Sequence, residues 1–529
     1  MPLLPRVMCR AWITVVAGPT IVLATFFFSD RPASAQSPKA SAAPGAASTP
    51  AVESKREMGL REVLRQASTG NPDLRRERVA VDLAAANILI AEGQFDFVLT
   101  ADGTFARRTV PPINLANPDP AAGSGAGTTR NLTADLALTR PLETGGSLSL
   151  AAQETATGSS ALNQSCGLLC TYYTVISLGF KHPLLRGFGT EITLGNLRKN
   201  RIAHDVELLN RQARAAVVIR DVVIAYWELG YAGDDLDIRR SAVTLAEEQR
   251  KYTQAHVDVG RLGIADLAAV DRAIADRQQD VALAEQALLA RALDLERLVG
   301  RAVPADFVAI TPIEHPSSAP PNIDPTTETT HALESSPQVR ALRAGLALSE
   351  IDLRTAQALV RPQLDFTGSV GTVGRQLNAT DSWAQAARFE NINWSAGLVF
   401  QMPVQNRAAR GTELAARANR EGADVELADL ELGIRDGIVR MTGAARSAAR
   451  RAELAREAVG YAQKNLDAER ARFDVGRSTN NDVLLRQQEL KSAEVQIARA
   501  VADLANAETA LAALTGDILE RYGVVLRGS

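Results

Sequence analysis

Asn71-Pro72-Asp73-Leu74 and Ser336-Pro337-Gln338-Val339 each introduce an Ala/Leu-rich helical stretch, and Asp258-Val259-Gly260-Arg261 returns as Asp474-Val475-Gly476-Arg477. The stop at Leu298-Val299-Gly300 returns as Leu514-Thr515-Gly516. Matches kept in order over so much of a chain mark an internal duplication, which constrains the fold before any single element does. The openings lie 265 positions apart, but the Gly-Arg turns and the stops lie only 216 apart. Copy one therefore carries about fifty extra residues between its opening helix and its turn.

After each turn the apolar positions step by three and four. In copy one the ten stripe positions are Leu267, Val270, Ile274, Arg277, Val281, Ala284, Leu288, Arg291, Leu295 and Leu298, eight of them apolar; the same ten shifted by 216 run from Val483 to Leu514 in copy two, nine of them apolar. Such a shared stripe predicts paired coiled-coil hairpins. The helix before each turn, from Glu191 to about Val259 and from Ala408 to about Val475, has no internal proline and at about 1.5 Å per residue reaches roughly 100 Å. The chain has only 4 Trp, 7 Tyr and 13 Phe, and roughly a sixth of it is alanine, a composition suited to thin helix–helix seams rather than to thick cores.

Between opening helix and long helix the period changes to two. Ile392, Trp394, Ala396, Leu398 and Phe400 alternate with mostly polar partners, as do Leu364, Phe366, Gly368 and Val370. Copy one shows the same in Phe97, Leu99, Ala101 and Phe105, and in Ile176, Leu178 and Phe180. Strands of this length and pattern suit a transmembrane β-barrel; one strand alone would favour a soluble two-faced sheet, and export, the duplication and the long helices reverse that preference. The extra residues predict a further hairpin near 129–155, in which Leu132, Leu136, Leu138, Leu148 and Leu150 alternate with polar residues.

Arg6 and Arg10, the apolar run Ala11–Phe28 and Ala33-Ser34-Ala35 read as a signal peptide over 1–35, followed by a flexible Ala/Pro/Ser-rich leader over 36–57. The remaining domain expectations are a first repeat over 58–300, a Pro-rich linker over 301–329, a second repeat over 330–516 and a short tail over 517–529. In an exported chain, Cys166 and Cys170 in a loop-like stretch favour a small disulfide. The 58 basic and 61 acidic residues are interspersed, which disfavours nucleic acid as a partner. The five histidines and three cysteines lack metal-ligand spacing, so no metal, cofactor or catalytic constellation is expected.

Over residues 58–520 the arrangement resembles the TolC family of outer membrane efflux and secretion channels. The resemblance rests on the Pro-containing repeat openings, on Pro183-Leu184 and Pro403-Val404 at the strand exits, and on Gly260 with Asp266 and Gly476 with Asp482 at the hairpin turns. It implies a mainly α fold: a long coiled-coil α-helical barrel continuing into a transmembrane β-barrel, closed by homotrimerisation. It further implies a passive conduit of a tripartite efflux or type I secretion system, in the outer membrane with its helical part in the periplasm. The implied partners are outer membrane lipid, a periplasmic adaptor protein touching the tips Gly260, Arg261, Gly476 and Arg477, and an inner membrane pump. For the gate, the resemblance implies Asp266 and Asp482, with a Tyr where Phe473 stands and an Arg where Ser478 stands; Arg477 or Arg261 is the substitute cation. The alternative role of the two aspartates is to cap the helices that they begin. The competing function is a periplasmic coiled-coil adaptor, which needs only one hairpin.

Overall fold

The computed structural model describes residues 56–110, 127–159, 169–302, 310–317, 319 and 323–524. The first half runs β1 (Arg56–Met58), α1 (Leu60–Gly70), α2 (Pro72–Glu92), β2 (Val98–Val110), β3 (Gly127–Pro141), β4 (Ser147–Ser159), β5 (Thr171–Pro183), α3 (Thr190–Thr193), α4 (Gly195–Asp258) and α5 (Ile264–Val299). The second runs β6 (Ile310–Pro312), α6 (Pro325–Ser335), α7 (Pro337–Val360), β7 (Gln363–Gln376), α8 (Ala379–Ala387), β8 (Ile392–Gln401), α9 (Arg407–Asp474), α10 (Asn480–Thr515) and α11 (Ile518–Arg521). Opening helix, strands, very long helix and a 36-residue helix thus occur in that order twice.

Local chemistry sets the helix ends. Asn71 caps α2, its Oδ1 accepting from the Asp73 and Leu74 amides at 2.8 and 3.3 Å, and its Nδ2 donates to the Leu298 carbonyl at 2.7 Å. In the second half Ser335 Oγ donates to the Thr515 carbonyl at 2.5 Å, so each Pro-led helix is tied to the end of the last helix of its own half. Both last helices stop at a left-handed glycine, Gly300 at φ +81° and Gly516 at φ +86°, a conformation that costs glycine little.

The largest core lies where these ends meet. Val63, Leu64, Ile219, Val222, Leu295 and Ile518 are buried there around Tyr226 of α4. The Tyr226 hydroxyl donates to the Met58 carbonyl at 3.1 Å and accepts from the Ile313 and Glu314 amides at 3.2 and 3.4 Å. It thereby fastens β1 and β6, a parallel pair, to the long helix.

Several boundaries differ from expectation. The expected linker holds β6, because extended residues there find a partner strand in Arg56–Met58, the last of which were expected in the leader or at its border. Pro325 begins α6 five residues earlier than Thr330, since a proline at the first helical position needs no amide; Asp324 caps it. The tail contains α11, and its Ile518 is fully buried. The first long helix starts at Gly195, after a break at Leu194. The signal peptide, nearly all of the leader, and Cys166 lie outside the described residues; Cys170 is disulfide-bonded.

Tyr226→Phe strips a buried carbonyl and two amides of their partner and is expected to destabilise the protein by about 1–3 kcal/mol, measured by thermal unfolding. Gly300→Ala places a Cβ 2.2 Å from the Gly70 carbonyl oxygen at a positive φ and is expected to lower the melting temperature further.

Candidate functional site

Three features position the chemistry: a two-faced sheet, a wall of helices beneath it, and two hairpin tips. The sheet is an antiparallel meander, β2-β3-β4-β5-β7-β8, with each strand paired to its neighbour along most of its length. Because side chains alternate, the register puts Leu99, Leu138, Leu150, Leu178, Val370 and Trp394 in one row of one face. The row beside it, on the opposite face, is Thr100, Ala137, Ala151, Ser177, Gly371 and Asn393. Along β3 the apolar face carries Leu132, Ala134, Leu136 and Leu138 between Arg130 and Arg140, whose guanidinium lies 4.7 Å from the Phe97 ring centroid. Ten residues at about 3.4 Å each, tilted about 40°, rise about 26 Å, the height of the apolar band of a membrane barrel.

α8 folds back over this apolar face where it turns polar. Ser382 Oγ donates to the Gly374 carbonyl at 3.0 Å and lies 2.8 Å from Thr174 Oγ1, and Thr372 Oγ1 donates to the Ala386 carbonyl at 3.0 Å. Both threonines are fully buried beneath the short helix. Among the described residues no helix is long and apolar enough to cross a membrane.

Below the sheet, α4 packs on α2, α7, α5 and α10, and α9 packs on α7 and α10. The outermost helices of the upper row α2–α4–α7–α9 keep apolar stripes in the open: Val79, Leu83 and Ile90 on α2, and Leu414, Val425, Leu432 and Val439 on α9. The sheet edges above are equally open, every residue of β8 being exposed. Lower down, Arg499 of α10 makes a two-pronged pair with Glu228 of α4, at 2.9 Å for each bond. Burial pushes the Glu228 carboxyl up, and Arg499 more than offsets it, holding the group below its ordinary value.

At the tips, Gly260 and Gly476 adopt φ +70° and +72°. The Gly260 amide donates to Val257 and the Arg261 amide to His256, and the Gly476 and Arg477 amides do the same to Phe473 and Arg472. Both turns are Schellman motifs, which is why the glycine recurs. The two expected gate aspartates are absorbed by their own turns. Asp266 accepts the Gly263 amide at 3.0 Å, and Asp482 accepts the Thr479 amide at 3.0 Å and its hydroxyl at 2.7 Å, which hold the Asp482 carboxyl below its usual value. Ser478 donates to Glu469 at 2.5 Å and to Asp482 at 3.3 Å, and so stays within its own hairpin.

Other residues join one hairpin to the other. Tyr252 of α4 donates to Asp474 of α9 at 2.7 Å, a bond that raises the phenol's pKa, and its ring lies 5.6 Å from that of Phe473. Gln249 Nε2 and Thr253 Oγ1 donate to Asn480 Oδ1 at 2.7 and 3.3 Å, and Asn480 Nδ2 donates to the Asp266 backbone carbonyl at 3.3 Å. Arg277, one of two arginines in the copy-one stripe, is buried and donates to the Ala242 carbonyl at 2.9 Å and to Gln487 at 3.1 Å. No spacing in the sequence signals the contacts between hairpins, since their partners lie in different halves of the chain.

Residues 330–517 match the family model for the outer membrane efflux protein. This part of the chain is similar to the outer membrane efflux proteins that the family model describes. The fold is shared with outer membrane channels. Against OprN the TM-score is 0.63 at 17% identity, covering 89% of this chain and 94% of that one. Against CmeC of Campylobacter jejuni it is 0.62 at 14%, covering 89% and 87%, and against the open state of MtrE of Neisseria gonorrhoeae it is 0.58 at 15%, covering 89% and 94%. Compared by sequence with curated proteins, the chain matches none. Family and structural neighbours alike are channels rather than enzymes.

Asn480→Ala leaves the Gln249 amide and Thr253 hydroxyl without an acceptor at a buried site and is expected to cost about 1–3 kcal/mol by thermal unfolding, more than Tyr252→Phe at its exposed bond. The folded Asp482 pKa lies below its unfolded value of 3.8, so its contribution is present above that pH and lost as pH falls through the lower folded value. Amide protection factors at the start of α10, taken relative to the intrinsic exchange rate at each pH, are expected to fall below about pH 4 in the native chain and to lose this dependence in Asp482→Asn.

Proposed function

We propose that the chain is the outer membrane conduit of a tripartite export system, efflux or type I secretion, and that three copies close one continuous wall. The observation that carries this reading is that sheet and helix layer are open on the same two sides. β2 and α2 end the wall on one side, β8 and α9 on the other. An even number of antiparallel strands brings β2 of one copy antiparallel to β8 of the next, and the apolar stripes of α2 and α9 meet below them. This is a head-to-tail contact that closes into a ring. The apolar sheet face then meets lipid and the Thr/Ser/Asp/Asn face lines water, as a membrane barrel requires.

Export is driven by the inner membrane pump, reached through an adaptor that grips the tips at Gly260, Arg261, Gly476 and Arg477. The gate is held by links between hairpins, Tyr252–Asp474 and Gln249–Asn480, rather than by the two aspartates. Phe473 contributes ring packing where a hydroxyl is missing, and Tyr252 supplies that hydroxyl from the opposite hairpin. Arg477 sits beside this contact as a tip residue. In planar bilayers, Tyr252→Phe combined with Asn480→Ala is expected to raise single-channel conductance, while Asp266→Asn combined with Asp482→Asn leaves it nearly unchanged. A photo-crosslinker at Leu83 or Leu432 is expected to join three copies. A monomeric, non-conducting periplasmic product would instead make the chain an adaptor.

A further inference from the structure

The extra residues of the first half include β3 and β4, and these are integral to the sheet. Thirteen residue pairs bind β3 to β2, thirteen bind it to β4, and eleven bind β4 to β5. Both faces continue through the hairpin: Leu136 and Leu150 on the apolar side, Thr133 and Gln153 on the polar side. The turn between the two strands is wedged into the base of the wall. A Cβ on Gly145 would lie 2.2 Å from the Gly187 carbonyl oxygen, one on Gly146 would lie 2.8 Å from that of Lys181, and the Gly189 amide donates to Thr144 at 3.2 Å. A hairpin standing outside the wall would have no reason to lock against the strand exit that leads to the long helix.

With this hairpin counted, the widths of the two layers agree. Strands about 4.8 Å apart and tilted about 40° each occupy about 6.3 Å of circumference, so six strands span about 38 Å. The four helices of the upper row, at about 9–10 Å each, span about the same.

We propose that β3–β4 is barrel wall, so that three copies, with six strands each, close an eighteen-stranded barrel whose circumference equals that of the twelve-helix tunnel beneath it. The exit, about 36 Å across at the backbone, is then as wide as the tunnel, and cargo that passes the tips meets no second constriction in the barrel wall. This inference rests on the three-copy reading above.

Electron cryo-microscopy of the intact protein in lipid nanodiscs tests it, together with thiol labelling by a membrane-impermeant charged reagent. Eighteen strands are expected, with Thr133→Cys and Gln153→Cys reacting at least tenfold faster than Leu136→Cys and Leu150→Cys. A three-copy assembly with twelve wall strands, or equal labelling of both faces of the hairpin, overturns this inference alone. A monomeric product overturns it together with the channel reading.

Discussion

A backbone amide or carbonyl that faces hydrocarbon without a partner costs several kcal/mol, so a sheet that meets lipid tolerates no open edge. The six-stranded meander has two open edges, and its apolar face extends to both of them. On the proposed three-copy reading, this one constraint calls for the head-to-tail ring and for an even number of strands in each copy. The inserted hairpin obeys the same constraint. A lone extra strand would reverse the polarity at one edge, whereas a pair leaves it as it was.

The helix layer solves a different problem, that of a wall only one helix thick with little interior to fill. Ala215, Ala246, Ala292, Ala445, Ala448 and Ala452 are buried at seams where backbones approach closely, and the largest cluster of bulky side chains lies around Tyr226. α4 is the member that unites the two halves: α2 and α7 pack on its upper part, and α10 meets it lower down through Glu228 and Arg499. A salt bridge that is only partly exposed, backed by Asn506 on the same carboxylate, gives this long and narrow contact a fixed register.

At the tips the same side-chain types serve two distinct purposes. Asp266 and Asp482 sit three residues into their helices, where a carboxylate is drawn back to the free amides of the first turn, so their own helices claim them. Amide and hydroxyl groups one helical turn or more away from the glycine turns are free to reach across, and Gln249, Thr253 and Tyr252 do so.

What the sequence by itself determined is everything that depends on neighbours in the chain. The ten-position stripes, the two glycine-led turns, the proline-led openings and the alternation in the strands are local, because periodicity and capping act within a few residues. Tertiary structure decided what depends on distant partners. The burial of Arg277 against Gln487, the bonds of Gln249 with Asn480 and of Tyr252 with Asp474, 231 and 222 positions apart, and the pairing of β6 with β1 were beyond any spacing rule. So was the incorporation of β3 and β4 into the sheet, since an alternating hairpin fits equally well inside a wall or beside one until neighbouring strands claim its amides.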